Sequence, residues 1–343
     1  MHDPMESALT RLRAGELVAI PTETVYGLAA DASNAEAVKK IFLAKNRPSN
    51  HPLIVHIPHP CKEGMTASEK NAAWAELLSK WARDVPEEAL ILAGKFWPGP
   101  LTLILHKAKN VLPEVTGNQE TVGLRCPNHP VALDLLEKFE GGLAAPSANR
   151  FGHISPTTAA HVRHEFSDMD LMVLDGGPCT VGIESTIVDL TRLSTQGPVI
   201  LRPGMISRQE MEAALNLSVS DIRSNAAPRV SGSLSAHYAP RTAMAFFSGL
   251  ASFPERARKV AWVHFPGTPL PPALHSREVT EVVLPISPED LARNLYALLR
   301  DLDGRHFDLI FLDDLPSETR WDAVRDRLVR AVNGSGTGVG QSR

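Results

Sequence analysis

Basic side chains stand beside small hydroxyl residues at several points in this 343-residue chain. Lys45 and Arg47 come soon after Thr22, Thr24 and Tyr26. Arg125 stands alone in an apolar run, and Ser147, Asn149 and Arg150 share one short stretch. Ser155, Ser185, Thr186 and Arg202 follow. Ammonium and guanidinium groups placed with hydroxyls make charge-assisted hydrogen bonds to phosphate oxygens. Each residue alone also has an ordinary structural reading: a lysine at a helix end, an arginine in a salt bridge, a serine in a turn. Together they point to a cleft that handles a phosphate or a nucleotide. Other chemistries lack their residues. There is no GxxxxGK[ST], no GxGxxG and no HExxH. His161 and His164 could share a helix face, but no third ligand marks a zinc site. A Ser–His–Asp triad has no GxSxG elbow to support it.

These residues need elements to carry them. Ala19–Tyr26 alternates apolar and polar and predicts a strand, with Gly27 permitting a turn. Asn34 caps a helix whose Val38, Ile41 and Phe42 share one side; it ends at Lys45, Asn46 and Arg47, and Pro48 stops it. A strand at Leu53–Ile57 follows His51 and Pro52. Helices are expected at Ser68–Trp81, Glu87–Phe96, Val131–Phe139, Thr158–Phe166 and Arg208–Leu215. Strands are expected at Leu101–His106, Thr121–Cys126, Leu171–Leu174, Ser185–Leu190 and Val199–Leu201. The small residues of Gly141–Gly152 let backbone approach a ligand closely.

Residues 216–241 lose sustained periodicity and read as a linker, a plain spacer by composition, with an ordered anchor at its end. A new pattern follows, with strands at Ala243–Phe247, Val260–Phe265, Glu281–Pro285 and Leu309–Leu312 and helices at Pro288–Leu302 and Glu318–Val332. Strands interleaved with helices imply an α/β arrangement with a parallel or mixed sheet. The chain thus divides into a first domain at 1–215, a linker at 216–241, a second domain at 242–335 and a frayed polar tail at 336–343.

Composition sets the outer bounds. A 43% apolar and 22% charged chain suits a soluble globular enzyme or binding protein. A net charge of -4 does not advertise nucleic-acid binding, although a local basic cleft remains open. Cys61, Cys126 and Cys179 are too widely spaced for a metal knuckle or a disulfide framework and fit a reducing compartment. The opening residues read as a capped helix with Leu9 and Leu12 inward rather than as a secretory leader, and no apolar run is long enough to span a membrane. A cytoplasmic location is expected.

Seven blocks carry a resemblance: PTETVYGLAADA from Pro21, KNRPSNHPLIV from Lys45, WPGPLTLIL from Trp97, VGLRCPNHP from Val122, APSANRFGHISPT from Ala145, ESTIVD from Glu184 and LRPG from Leu201. In their order and their small-residue strings they resemble the YrdC/Sua5 family of threonylcarbamoyl-AMP synthases. His237-Tyr238-Ala239-Pro240 and the second domain resemble its longer, two-domain branch. The resemblance implies a twisted, open mixed-sheet α/β domain with a concave cleft, a linker crossing that cleft, and a small Rossmann-like α/β domain.

It also implies a reaction: L-threonine, bicarbonate or CO2, and ATP with Mg²⁺ give threonylcarbamoyl-AMP and pyrophosphate. A separate complex then transfers the threonylcarbamoyl group to adenosine 37 of tRNA. By resemblance Thr22, Tyr26, His51 and Arg125 serve threonine, with Arg125 on its carboxylate. Lys45, Arg47 and Ser147 are the catalytic set. Lys45, Arg47, Ser147, Asn149, Ser155, Ser185, Arg202 and Tyr238 serve ATP. No protein metal site and no bound organic cofactor are expected. One departure stands out. The longer branch often carries a Lys or Arg shortly before the linker's His-Tyr pair, where this chain has Ser235-Ala236, and the nearest upstream base is Arg229. Two rival readings remain: a module binding double-stranded RNA or tRNA without turnover, and a relative handling carbamoyl phosphate, whose usual zinc-finger and acylphosphatase companions are not recognisable here.

Overall fold

The structure is a computed structural model that describes residues 3–221, 227–232, 234–249 and 253–336. Parts of the linker and most of the polar tail lie outside these residues. The chain forms two compact units: residues 1–150 with 156–233, and residues 151–155 with 234–343.

The first unit is built on strands β1 (Val18–Ile20), β2 (Gly27–Asp31), β3 (Ile54–His56), β4 (Leu101–His106), β5 (Thr121–Arg125), β6 (Leu143–Ala144), β7 (Met172–Val173), β8 (Thr186–Asp189) and β9 (Val199–Arg202). Among the described residues they make one mixed sheet in the order β7-β1-β2-β6-β3-β5-β4-β8-β9. The strand expected at Ala19–Tyr26 ends at Ile20, and Gly27 opens β2 instead of a turn, with Ile20 pairing Gly27 across an antiparallel hairpin. Pro21 lacks the N–H a ladder needs. The Thr22 hydroxyl then takes over the local backbone: it donates to Val25 O at 2.6 Å and accepts from the Thr24 and Val25 amides, both at 3.2 Å. A side chain that bonds its own backbone competes with the sheet and makes a loop.

The helix at Ala35–Lys45 forms as its signals predict. Asn34 Oδ1 accepts from the Glu36 and Ala37 amides, and Asn46 closes the helix in the left-handed region at φ 52°. Its buried Val38, Ile41 and Phe42 join Leu28, Leu53, Val55, Leu103 and Leu124 in the main core. That packing fixes where Lys45 emerges, because apolar burial anchors the helix axis.

Among its described residues the second unit has a four-stranded parallel sheet: β10 (Met244–Phe246), β11 (Lys259–His264), β12 (Glu278–Val283) and β13 (Leu309–Leu312), in the order β10-β13-β11-β12. The strand expected at Glu281–Pro285 begins three residues earlier, at Glu278, and ends at Val283, because all six residues of β12 pair with β11. Long-range pairing overrides local pattern at an exposed edge. The helix at Pro288–Gly304 is capped by Ser287 and buries Leu291, Leu295 and Leu299.

Candidate active site

Lys45 ends its helix 1% exposed. Its ammonium donates to Ser147 O at 2.6 Å and to Asn149 O. Ser147 is held there by backbone. Leu28 N donates to Pro146 O, Ala148 N donates to Tyr26 O, and Gly27 bridges Ser147, so residues 146–148 run antiparallel beside 26–28. Two residues on, Arg47 donates to Pro52 O at 3.0 Å and to Ser231 Oγ at 3.4 Å. Arg202, at the end of β9, donates to Ser231 O at 2.9 Å from Nη1 and to Ser185 O from Nε and Nη2. Its Nη2 also reaches Ser185 Oγ, which lies 2.8 Å from Thr102 Oγ1. Hydrogen bonds thus join Lys45 to Ser147 and Asn149, and join Arg47, Ser231, Arg202 and Ser185 in one run. Gly204 makes the last step possible: a Cβ there would lie 2.3 Å from the Thr186 amide nitrogen.

Tyr26, Arg125 and His51 surround the same strands. The Tyr26 hydroxyl donates to Gly177 O at 2.8 Å and accepts from Gly176 N at 3.1 Å, and burial pushes its pKa to about 12. Arg125, 4% exposed at the end of β5, faces Glu23, 3% exposed, with Nη2 to Oε1 at 2.8 Å. His51 is half-buried, and burial with the nearby Arg47 and Arg229 cations lowers its pKa. Lys45 is held well below the usual lysine range, first by burial and then by Arg47. Burial and the Arg125 charge lower His56, also buried, to about 3. Arg150 serves structure: its guanidinium grips both oxygens of Asp168 at 2.7 Å, donates to Ala44 O and lies over the Phe166 ring.

Ser155 and Tyr238 fall in the second unit. Ser155 is fully buried. Tyr238 takes φ 61° and lies 1% exposed, its ring 4.1 Å from that of His237 and 5.6 Å from that of Tyr296, with the Arg327 guanidinium 5.5 Å away.

The linker is more than a spacer where it is described. Arg229 exchanges two hydrogen bonds with the Gln119 amide and donates from its guanidinium to Gly117 O. Val230 packs with Ile54, Ile104, Ile187 and Leu201. Within the second unit, His237 N donates to Arg330 O and Ala239 N to Gly152 O. Sequence reasoning missed Ser231 and Gln119, which sit in polar stretches without a pattern. It also missed Glu23, although a lone carboxylate between two threonines in an otherwise apolar run was a visible signal.

The fold and this clustered set of cations and hydroxyls define a phosphate-handling α/β protein, and comparison with known proteins places it. The Sua5/YciO/YrdC family model, described as "Telomere recombination", matches residues 10–204, and the model of the threonylcarbamoyl-AMP synthase C-terminal domain matches residues 206–332. The chain belongs to the Sua5/YciO/YrdC family. It is of the two-domain threonylcarbamoyl-AMP synthase type, an enzyme of the nucleotidyltransferase class. It is 37% identical to the threonylcarbamoyl-AMP synthase of Pyrococcus abyssi, over 93% of this chain and 91% of that protein. It is also 37% identical to that of Bacillus subtilis, over 97% and 94%. The crystal structure of P. abyssi Sua5 complexed with L-threonine superimposes with a TM-score of 0.80 at 34% identity, covering 97% of this chain and 96% of that one.

Proposed function

We infer that this protein joins L-threonine, bicarbonate or CO2, and ATP into threonylcarbamoyl-AMP, releasing pyrophosphate. The observation that carries the reading is the cation cluster: Lys45 bound to the Ser147–Asn149 backbone, and Arg47 and Arg202 bound to the two oxygens of Ser231. Threonine's amine must lose a proton before it attacks the one-carbon unit. The carbamate so formed then attacks the α-phosphorus, and negative charge develops on the phosphoryl oxygens. Fixed cations in a water-poor site stabilise that charge without reorganising. The carbamate is short-lived, so holding the partners together contributes more than a strong nucleophile would.

Lys45 and Arg47 are assigned to the phosphates and the developing charge, and Ser147 and Asn149 to ATP and the carbamate. Ser185 and Arg202 take the nucleotide side, and the family resemblance assigns Ser155 and Tyr238 to ATP as well. Arg125, aided by Thr22, Tyr26 and His51, takes threonine; its buried Nε has no hydrogen bond among the described residues, which suits an arriving carboxylate. Mg²⁺ enters as part of the nucleotide substrate and shares the pyrophosphate's charge.

On this reading residues 1–215 form the catalytic domain, 216–241 a linker over the cleft and 242–335 an accessory domain. The product passes to a tRNA-modifying transfer complex in the cytoplasm. No helix among the described residues is long and apolar enough to cross a membrane. Pyrophosphate release tests the reading: it should require threonine and bicarbonate together. Release without threonine would refute the reading, and tRNA binding that survives loss of Lys45 and Ser147 in a protein with no turnover would replace it with the RNA-binding alternative.

A further inference from the structure

Glu23 and Arg125 form a buried ion pair at 2.8 Å that does not close on itself. Both carboxylate oxygens of Glu23, and Nε and Nη2 of Arg125, are buried without an aligned hydrogen bond among the described residues. A structural ion pair of this depth ordinarily has its remaining donors and acceptors satisfied, because each buried orphan carries a desolvation cost. Beyond their mutual contact, this pair keeps Oε2 of Glu23 and Nε of Arg125 without a hydrogen bond among the described residues. Among the described residues, the titratable side chains coupled to the pair include His56, Cys126 and Cys179. His56, beside Arg125, is held neutral. The thiols of Cys126 and Cys179 are pushed up by burial and by Glu23, Cys179 to about 12. The chain on either side of Glu23 consists of Thr22, Thr24 and Tyr26.

A net-neutral pair with a further acceptor and a further donor to offer is complementary to a molecule that carries both charges itself. We propose that Glu23 and Arg125 together form a subsite for an amino-acid zwitterion, Arg125 meeting the carboxylate and Glu23 the ammonium. This rests on the assignment of Arg125 to threonine and adds a specificity residue to it. Arg125 alone would attract any small anion, bicarbonate and pyrophosphate included. Glu23 cancels that attraction and returns it only to a ligand bringing a cation at the α position. Discrimination then comes from leaving a buried charge unpaired when the wrong molecule binds.

The test compares L-threonine with 2,3-dihydroxybutanoate, the same skeleton with a hydroxyl in place of the amine, by calorimetric titration of the full-length protein. The wild type should favour threonine. Glu23→Gln should weaken threonine at least tenfold while the hydroxy acid changes less than twofold and ATP affinity holds. Glu23→Asp, which keeps the charge on a shorter stem, should restore part of the preference. Equal weakening of both ligands in Glu23→Gln makes Glu23 a structural prop and overturns the proposal, as does an unchanged ratio. Should Glu23→Gln not fold, as its thermal transition will show, Glu23→Asp alone decides: a preference reduced severalfold supports the subsite, and an unaltered preference refutes it. Absence of threonine-dependent pyrophosphate release from the wild type would defeat the synthase reading instead, while the ligand ratio would still report on Glu23.

Discussion

Replacing Lys45 by methionine is the sharpest perturbation of the cation cluster. Methionine keeps most of the length and volume and removes only the charge. In the resting protein the ammonium donates to Ser147 O and Asn149 O at a position 1% exposed. Hydrogen bonds from a charged donor contribute about 1.5–3 kcal/mol each, and orphaned acceptors cost about 1–3 kcal/mol each. Against this, the several kcal/mol spent on desolvating a buried cation is recovered. The opposing terms largely offset each other and leave a net destabilisation on the order of a few kcal/mol, which a thermal melt reads directly. Catalysis has no such offset. Losing one fixed charge at a developing oxyanion lowers kcat by about 10²–10³, equivalent to about 3–4 kcal/mol of barrier. The assay is pyrophosphate release at saturating threonine and bicarbonate, run beside a thermal melt. A folded Lys45→Met protein turning over within threefold of wild type would remove Lys45 from the chemistry.

Three further outcomes are expected. Because burial and Arg47 depress the Lys45 pKa, an arriving triphosphate should raise it; ATP binding measured in buffers of different ionisation enthalpy should show net proton uptake in the pH range between the free and the bound pKa, and proton release there would contradict it. His56 is lowered from 6.5 to about 3, so below pH 6.5 the unfolded chain binds a proton that the folded chain refuses, and stability falls as pH drops toward 3. At about 1.4 kcal/mol per pKa unit the loss by pH 4 is on the order of 3 kcal/mol, and His56→Leu should flatten this part of the denaturant-midpoint profile; parallel curves would exonerate His56. Gly204→Ala drives a methyl to 2.3 Å from the Thr186 amide nitrogen and 2.8 Å from the Ser185 carbonyl carbon, which should cost about 1–3 kcal/mol of stability and weaken ATP by displacing Ser185 from Arg202; an unchanged melting temperature and ATP affinity would show that the contact relaxes freely.

The chain itself determined more of the architecture than of the site. The helix at Ala35–Lys45 was legible because Asn34, the apolar spacing and Pro48 are local signals acting within a few residues. The same holds for Leu101–His106, Arg208–Leu215 and Leu309–Leu312, whose bounds match their patterns. Ala19–Tyr26 misled because alternation looks alike in a strand and in a loop where Thr22 captures the backbone. Residue types alone also pointed to a phosphate- or nucleotide-handling cleft around Lys45, Arg47, Arg125 and Arg202. What only tertiary structure decided is which of these groups meet. Ser147 and Asn149 lie about a hundred positions from Lys45 and Ser231 lies far from Arg47, yet sheet pairing and linker anchoring make them hydrogen-bond partners. The pairing of Glu23 with Arg125 was equally invisible, because burial and Coulomb attraction depend on distance in space, and periodicity records only distance along the chain.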